Sequence, residues 1–284
     1  MMPLEFLPER YTVAEPALAE QSPIGLGTLT KEEGKARAEA LMGEVRALQA
    51  LMYGAGTHRV LLVLQGLDAS GKDGAVRFVI GQGDPVTATV TSFKMPTPAE
   101  QSRDFLWRVH SAIPPRGVLG IFNRSHYEDV VATVVRETIT SSLQQQRLRH
   151  INAFEELLAD DGSIVIKCFF HIDETEQSRR LLEREHELIT AWKLAPDDWR
   201  DRQLFDRYLA VYSDVMAQTS TPAAPWYVVP ANRKWYRNLV VAGLLLQHME
   251  PFRQQWEATL TAIQHTRLQE IARARRSATR RGAQ

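Results

Sequence analysis

Three residues of the stretch GLDASGKDG have the spacing of a phosphate-binding loop: Gly66, Gly71 and Lys72. In such a loop the glycines let backbone N–H groups approach phosphate oxygens, and the lysine neutralises phosphate charge. The residue after the lysine is normally Ser or Thr, whose hydroxyl binds Mg²⁺, but here it is Asp73. A second carboxylate, Asp68, lies inside the loop. Because carboxylates and phosphates repel each other, two acids beside an anion site indicate a divalent cation that bridges them to the phosphates.

The residues around this loop predict a strand followed by a helix. The run RVLLVLQ (59–65) has the composition of a buried strand, and KDGAVRFVIGQ (72–82) has the spacing of a helix start. The alternative is a glycine turn between strand and helix with solvated charges around it. Besides the lysine, the expected phosphate-binding positions of the loop are Gly66, Ala69, Ser70 and Gly71.

The string NRSHYED, directly after the apolar run RGVLGIF, is the second polar cluster. It lies where P-loop enzymes usually carry their second metal-binding acid. The planar fork of Arg124 suits phosphate oxygens, and Glu128 or Asp129 is expected to hold Mg²⁺ directly or through water. The alternative is a polar helix cap, in which Asn123 or Ser125 caps the helix predicted by HYEDVVATVV.

Basic residues follow two other predicted strands. Lys94 comes directly after TATVTSF, at a strand end where phosphate contact is expected, and a solvated loop residue is the alternative. Lys234, flanked by Arg233 and Arg237, lies in the first turns of a predicted helix. Because the helix dipole favours acids there, these cations indicate an anion close by.

A third basic group lies in the segment of about 171–200. Arg179, Arg180, Arg184 and Lys193 recur at roughly helical spacing but are interleaved with glutamates, a pattern typical of a solvated, salt-bridged helix face. The functional alternative is a mobile lid whose cations, Arg184 and Lys193 among them, close over a polyanion.

The predicted elements place these clusters at one edge of a sheet. Helical patterns alternate with five short apolar runs: RVLLVLQ, TATVTSF, RGVLGIF, SIVIKCFF and PWYVVP. Such alternation predicts an α/β fold with a doubly wound, five-stranded parallel sheet and helices on both faces, a three-layer α/β/α arrangement. Ligands of such sheets bind outside the carboxyl ends of the strands, where the loop and the NRSHYED string lie.

We expect three regions along the chain. Residues 1–57 form an N-terminal extension whose amphipathic helix begins with a capping box of Thr30 and Glu33. Residues 58–250 form the core, which includes the helical lid segment, and residues 251–284 form a C-terminal helix with an Arg-rich tail.

Composition excludes several classes of protein. The 284 residues contain 34 Lys plus Arg and 34 Asp plus Glu, so no overall charge attracts the chain to nucleic acid. The single cysteine, Cys168, lies in an apolar run and predicts a core residue rather than a disulfide or a metal site. The chain shows neither a basic, apolar leader nor a bilayer-length apolar stretch, so we expect a soluble cytoplasmic protein without a membrane partner.

Five segments, taken together and in order, resemble one known family. They are GLDASGKDG, SFKMPTPAEQSRDFLWRVH, IFNRSHYEDV, TAWKLAPDDW and TSTPAAPWYVVPANRKWYRN, from about residue 20 to 250. The family is polyphosphate kinase 2. The resemblance implies a P-loop kinase fold with a helical lid, and transfer of a terminal phosphoryl group between inorganic polyphosphate and a purine nucleotide, with Mg²⁺ or Mn²⁺. It also implies a homodimer or homotetramer.

The resemblance implies roles for individual residues. Asp68 and Lys72 match the family's essential acid and lysine, and Arg124 and Glu128 match its second-motif arginine and acid. All four are the expected catalytic residues, and the two acids are the expected metal ligands. The glutamate is similar to that of members acting on both nucleoside mono- and diphosphates. The expected nucleotide contacts are Asn123, Arg124, Tyr127 and Glu128.

Two positions depart from the family pattern. Asn123 stands where other members have aspartate, and Thr190 stands where a lid lysine is usual, although Lys193 matches another lid lysine. Because a lid cation lies far from the reacting phosphorus, its loss is expected to weaken the binding of polyphosphate more than the chemistry.

Two other functions share some of these features. An ATP-dependent nucleoside monophosphate kinase has the same fold and loop, but it carries Ser or Thr where this chain has Asp73. A non-catalytic polyphosphate- or nucleotide-binding module would not need Lys72, Arg124 and the acids together.

Overall fold

The structure is a computed structural model that describes residues 5–11, 18–25, 27–186 and 196–281. Its strands are β1 (Arg59–Gln65), β2 (Ala88–Ser92), β3 (Leu119–Asn123), β4 (Ser163–His171) and β5 (Trp226–Pro230). Its helices are α1 (Lys31–Ala55), α2 (Lys72–Gln82), α3 (Pro98–Gln101), α4 (Trp107–His110), α5 (Glu128–Val135), α6 (Ser141–Asp160), α7 (Glu174–His186), α8 (Pro196–Arg202), α9 (Phe205–Thr219), α10 (Lys234–Met249) and α11 (Arg253–Arg281).

The five strands form one parallel sheet in the order β2-β3-β1-β4-β5. This confirms the five-stranded α/β fold predicted from the apolar runs. Strand β3 begins at Leu119, later than its run suggests, because the chain turns at Gly117 with a φ of 89°. The central strand β1 leads into the phosphate-binding loop, so the loop lies between the ends of β3 and β4, its neighbours in the sheet.

The two faces of the sheet are buried by different helices. Val60, Leu62 and Leu64 of β1 join the core formed with α1, α2 and α10. Leu61 and Val63 point to the other face, where they pack in a core with α4 and α6. Alternate residues of a strand point to opposite faces, and because both faces are covered, β1 is apolar from Val60 to Leu64, between its polar end residues. This is the predicted three-layer arrangement.

Helix α1 begins as predicted and is part of the core. The Thr30 hydroxyl accepts a hydrogen bond from the Glu33 N–H, and the Glu33 carboxylate accepts one from the Thr30 N–H at 2.9 Å. Met42, Leu48 and Met52 of α1 are completely buried, and α1 packs along α10. The helix predicted as an extension therefore completes one helical layer, and the domain boundaries remain a prediction.

One expected helix is interrupted. The pattern TPAEQSRDFLWRVHSAI predicts a continuous helix, but the structure has only the short α3 and α4 there. Between them, the Asp104 carboxylate accepts a hydrogen bond from the Leu106 N–H at 3.0 Å. Such local side-chain bonds compete with the helical hydrogen bonds, which explains the break.

Two expectations from composition can be compared with the structure. Cys168 is a buried core residue, as predicted, and burial raises the pKa of its thiol. Among the helices of the described ranges, none combines the length and the apolar character needed to cross a membrane.

Candidate active site

The loop between β1 and α2 has the backbone geometry of a tight phosphate cradle. Gly66, Ala69 and Gly71 have φ angles of 143°, 64° and 101°. A Cβ at Gly66 would lie 2.7 Å from the carbonyl oxygen of Phe170, so glycine is required there. Ala69 adopts a left-handed conformation without being glycine, a strain often found at functional sites. The strand, loop and helix that the sequence predicts here are confirmed.

Lys72 is buried and folds back over the loop. Its ammonium group donates hydrogen bonds to the carbonyl oxygens of Gly66 at 2.6 Å and Leu67 at 3.1 Å. Burial, with the positive charge of Arg124 as a second cause, lowers the pKa of Lys72 to about 8. A bound phosphate can take the place of the carbonyl partners and stabilise the charged form.

Arg124 lies between two carboxylates. Its Nη2 donates a hydrogen bond to Asp68 Oδ1 at 2.6 Å, and its Nη1 lies 3.7 Å from Glu128 Oε2. Arg124 has a φ of 63°, so the chain turns sharply where β3 ends. Burial raises the pKa of Glu128, while the charges of Arg124 and Lys72 oppose this shift. The structure thus brings Asp68 of the loop together with Arg124 and Glu128 of the NRSHYED segment.

Asp73 contacts the second cluster. Its Oδ1 accepts a hydrogen bond from Asn123 Nδ2 at 2.8 Å. Helix α2 has Gly71 at its N-cap position and no side-chain cap, and α5 likewise lacks one. Neither Asn123 nor Ser125 caps α5 itself, which begins at Glu128. Asn123 bonds to Asp73, whereas the Ser125 hydroxyl accepts a hydrogen bond from the Tyr127 N–H and caps only the turn before α5.

Tyr127 points into the core instead of the cavity. Its hydroxyl donates to Glu155 Oε1 at 2.9 Å and accepts from Lys167 Nζ at 2.8 Å. Lys167 also contacts Glu155 Oε2 at 2.5 Å, and His126 Nε2 lies 3.2 Å from Glu155 Oε1. These side chains are fully buried, and the Tyr127 side chain does not line the cavity in which the sequence predicted a nucleotide contact. The buried network fixes the turn that carries Arg124 and Glu128.

A cavity of about 430 Å³ opens at the carboxyl edge of the sheet. Six residues that the sequence singled out line it: Gly66, Asp68, Lys94, Arg124, Glu128 and Asp129. Sequence reasoning missed most of its outer wall, which includes Arg108, Arg136, Asp201, Tyr208 and Tyr212. The i, i+4 spacing of the two tyrosines was a signal that they share one helix face. The charged wall residues are paired, Arg108 with Asp129 at 2.9 Å and Arg136 with Asp201 at 2.7 Å.

Several predicted phosphate contacts do not line this cavity. Lys234 is exposed at the start of α10, and Arg184 lies half-buried in the last turn of α7. The Ser70 side chain is fully buried, with its hydroxyl packed close to Gly66, so only its backbone can serve the loop. Lys193 and Thr190 lie outside the described residues.

Arg180 and Arg237 are buried, contrary to the solvated helix face expected for Arg180. Both donate hydrogen bonds to backbone carbonyls of the phosphate-binding loop. For Arg180 the sequence gave no sign of this, because buried and solvated arginines have the same spacing on a helix. Arg237 is one of the cations whose place at the start of a helix predicted an anion close by. Asn232, which precedes the N-cap residue of α10, exchanges hydrogen bonds with Asp173, the residue before α7.

Comparison with known proteins identifies the family. The family model described as Polyphosphate kinase 2 matches residues 28–257. The chain is 46% identical over 215 residues to an AMP/ADP-polyphosphate phosphotransferase of Meiothermus ruber, covering 76% of this chain and 80% of the relative. It is 36% identical over 234 residues to an ADP-polyphosphate phosphotransferase of Rhodopseudomonas palustris, covering 78% and 81%. The crystal structure of polyphosphate kinase 2 from Arthrobacter aurescens TC1 matches with a TM-score of 0.82 and 36% identity, covering 86% of this chain and 88% of that one. This chain belongs to the polyphosphate kinase 2 family.

Proposed function

We propose that this protein transfers the terminal phosphoryl group of inorganic polyphosphate to AMP and ADP, or to GMP and GDP, with Mg²⁺. The observation that carries the proposal is the meeting of Asp68, Arg124 and Glu128 in one cavity beside the phosphate-binding loop. The Meiothermus ruber relative is named for both AMP and ADP, which supports acceptance of both kinds of nucleotide.

The site residues supply positioning and charge neutralisation, which are the main requirements of phosphoryl transfer. The loop amides and Lys72 hold the phosphoryl group that moves. A terminal phosphate oxygen of the acceptor nucleotide forms the new P–O bond, while the bond to the remaining polyphosphate breaks and the shortened chain leaves. Arg124 stabilises the negative charge on the phosphoryl group as it passes from the polyphosphate to the acceptor oxygen. That acceptor oxygen is already ionised near neutral pH, so no general base is required.

The donor set fits a magnesium ion that arrives with phosphates. Mg²⁺ is usually bound by one or two carboxylates together with substrate phosphate oxygens and water. Asp68 and Glu128 supply two carboxylates, and no cluster of three or more His, Cys, Asp or Glu suited to a metal occurs among the described residues. These two residues would hold the ion, which when bound neutralises phosphate charge. Manganese is the alternative metal.

The remaining predicted contacts concern the rest of the substrate. Lys94 lines the cavity and is proposed to contact a phosphate group. Arg184, Lys193 and Lys234 are proposed to contact more distant phosphates of the chain. Asn123, which also donates a hydrogen bond to Asp73, is proposed to contact the nucleotide.

One assay tests the proposal. Protein freed of ATP is incubated with polyphosphate, Mg²⁺ and, separately, AMP, ADP, GMP or GDP, and the products are separated by chromatography. We expect phosphorylated nucleotide with the unchanged protein and little with Lys72→Met. An Arg179→Gln variant serves as the control, because this exposed arginine contacts only Glu176 and Glu183 among the described residues. Absence of product with every nucleotide would contradict the proposal.

The two alternative functions give different results in that assay. An ATP-dependent kinase phosphorylates AMP only when ATP is added, and a binding module retains polyphosphate without turnover. The homodimer or homotetramer and the cytoplasmic location expected from the sequence stay predictions, and light scattering of the purified protein measures the assembly directly.

A further inference from the structure

Side chains of α7 hold three carbonyl groups of the phosphate-binding loop. Gln177 Nε2 donates to the carbonyl oxygen of Asp68 at 3.1 Å. Arg180 Nη1 donates to the carbonyl oxygens of Ala69 at 3.0 Å and Ser70 at 3.2 Å. Helix α7, the base of the predicted lid, is thus attached directly to the loop backbone.

Arg237 of α10 holds the next carbonyl. Its Nη1 donates to the carbonyl oxygen of Gly71 at 2.9 Å. A Cβ at Gly71 would collide with this nitrogen, so glycine is needed for the contact as well as for its φ of 101°. The carbonyl groups of residues 68–71 are called the loop carbonyls below, and each accepts a hydrogen bond from a side chain of α7 or α10.

The loop carbonyls set the direction of the loop amides. The described peptide bonds are trans, so each N–H points away from the carbonyl of the residue before it. The N–H groups of Ala69, Gly71 and Lys72 are therefore turned away from α7 and α10. Phosphate-binding loops use such N–H groups to hold their ligand, and donors fixed in advance need no reorganisation during the reaction.

The two arginines also place positive charge behind the loop. Arg180 and Arg237 are 5% and 3% exposed, and both guanidinium groups lie around Gly71. Within the described residues, Glu176 pairs with Arg180 at 2.6 Å and no carboxylate pairs with Arg237. Burial lowers the pKa of Arg237 to about 10, with the charge of Arg180 as a second cause, so Arg237 stays charged near neutral pH. An anion bound by the loop compensates this buried charge.

We propose that Gln177, Arg180 and Arg237 are positioning residues that orient the loop amides for phosphoryl transfer and connect α7 to the loop. The inference rests on the proposed function, because these residues act through the same loop. Arg180 contributes most contacts, since its Nη2 also donates to the carbonyl oxygens of Ala231 at 2.7 Å and Asn232 at 2.9 Å after β5. One guanidinium therefore joins α7, the loop and the end of β5.

The test uses substitutions that remove donors in steps. Arg237→Lys keeps a charge and a single donor group for the Gly71 carbonyl, whereas Arg237→Met keeps a similar side-chain length without either. Arg180→Lys removes the planar fork that bonds to the loop with one nitrogen and to the end of β5 with the other. Arg179→Gln is the matched control on the same helix, because its exposed side chain does not contact the loop. Circular dichroism and the thermal midpoint identify the variants that fold.

Steady-state kinetics separate positioning from folding. We expect kcat at saturating polyphosphate to fall at least about tenfold for Arg180→Lys and Arg237→Met, and less for Arg237→Lys. The KM for nucleotide should stay within about twofold of the unchanged protein, because the loop amides act on the transferred phosphoryl group and not on the nucleotide. The control should retain its kcat. The inference would be overturned if folded Arg180→Lys and Arg237→Met had kcat values within about twofold of the unchanged protein. It would also be overturned if the loss of kcat in each variant equalled the fraction of that variant that is unfolded.

A binding measurement keeps this inference separate from the proposed function. Tripolyphosphate is titrated into ¹⁵N-labelled protein, and the amide signals of Ala69, Gly71 and Lys72 are followed. We expect large shifts in the unchanged protein and in Arg179→Gln, and at least about fivefold weaker binding with smaller shifts in Arg237→Met. If the protein binds tripolyphosphate in this manner but does not phosphorylate nucleotides, the proposed function fails and the positioning role stands. Equal shifts in Arg237→Met would overturn the positioning role.

Discussion

Arg124 Nη2 donates a hydrogen bond to Asp68 Oδ1 across 2.6 Å, and this contact joins the end of β3 to the phosphate-binding loop of β1. The two strands are neighbours in the sheet, so their ends lie side by side. The same guanidinium lies 3.7 Å from Glu128, which places one cation between the two acids proposed to bind the metal. Since 40% of the Arg124 side chain is exposed, it has room to move towards a bound phosphate.

Replacing Arg124 should reduce the rate of transfer. We expect Arg124→Gln to lower kcat on the order of 100-fold, because removing a preorganised donor from a site of developing charge costs about 3 kcal/mol. The kcat of Arg124→Lys should lie between those of the unchanged protein and Arg124→Gln, since lysine keeps the charge and loses the planar fork. Single-turnover measurements with saturating polyphosphate give these rates. A folded Arg124→Gln variant with an unchanged rate would contradict the assigned role.

The two carboxylates of the loop should respond differently to the same substitution. Asp68→Asn is expected to lower kcat on the order of 100-fold, because it removes a proposed metal ligand and the partner of Arg124. Asp73→Asn should remain within about fivefold, because its contact is a hydrogen bond from Asn123 and a net bond of this kind is worth about 1 kcal/mol. Rates at several Mg²⁺ concentrations make the comparison. The reverse order of losses would show that Asp73 is the essential acid.

The lowered pKa of Lys72 predicts a loss of activity above about pH 8. Its pKa is lowered to about 8 by burial, so in the unliganded protein the side chain is charged below this pH and neutral above it. A neutral amine attracts phosphate weakly, and kcat/KM, which reports groups of the free enzyme, should therefore decline as pH rises through about 8. Lys72→Arg should be less active but lack this decline, since a guanidinium stays charged. The same decline in both proteins would point to another group.

The buried contact between Glu155 and Lys167 should matter for stability. Removing one partner, as in Lys167→Met, leaves an uncompensated buried charge and is expected to lower the free energy of unfolding by about 3–5 kcal/mol. The double variant Glu155→Leu with Lys167→Met should lose less than the sum of the two single variants. Urea unfolding measures all three, with Arg116→Gln as an exposed ion-pair control expected to lose no more than about 1 kcal/mol. Additive losses would show that the pair is not coupled.

The sequence determined the elements and the family. The periodicity of apolar residues and the local composition predicted the strand ending at Gln65, the helix starting at Lys72 and the capping box at Thr30. These features form through contacts between residues that are neighbours in the sequence. The loop spacing and the NRSHYED string indicated phosphate chemistry for the same reason. The break between α3 and α4 was missed, because the side-chain bond of Asp104 competes locally with a helical pattern that is otherwise favourable.

Only the tertiary structure decided which side chains meet. Tyr127 and Arg124 are close in sequence, yet the left-handed turn at Arg124 sends one side chain into the core and the other into the cavity. Arg179 and Arg180 are adjacent and chemically identical, but the helix rotation exposes the first and buries the second against the loop. Contacts of this kind join residues far apart in the chain, and the path of the backbone between them is fixed by packing on both faces of the sheet.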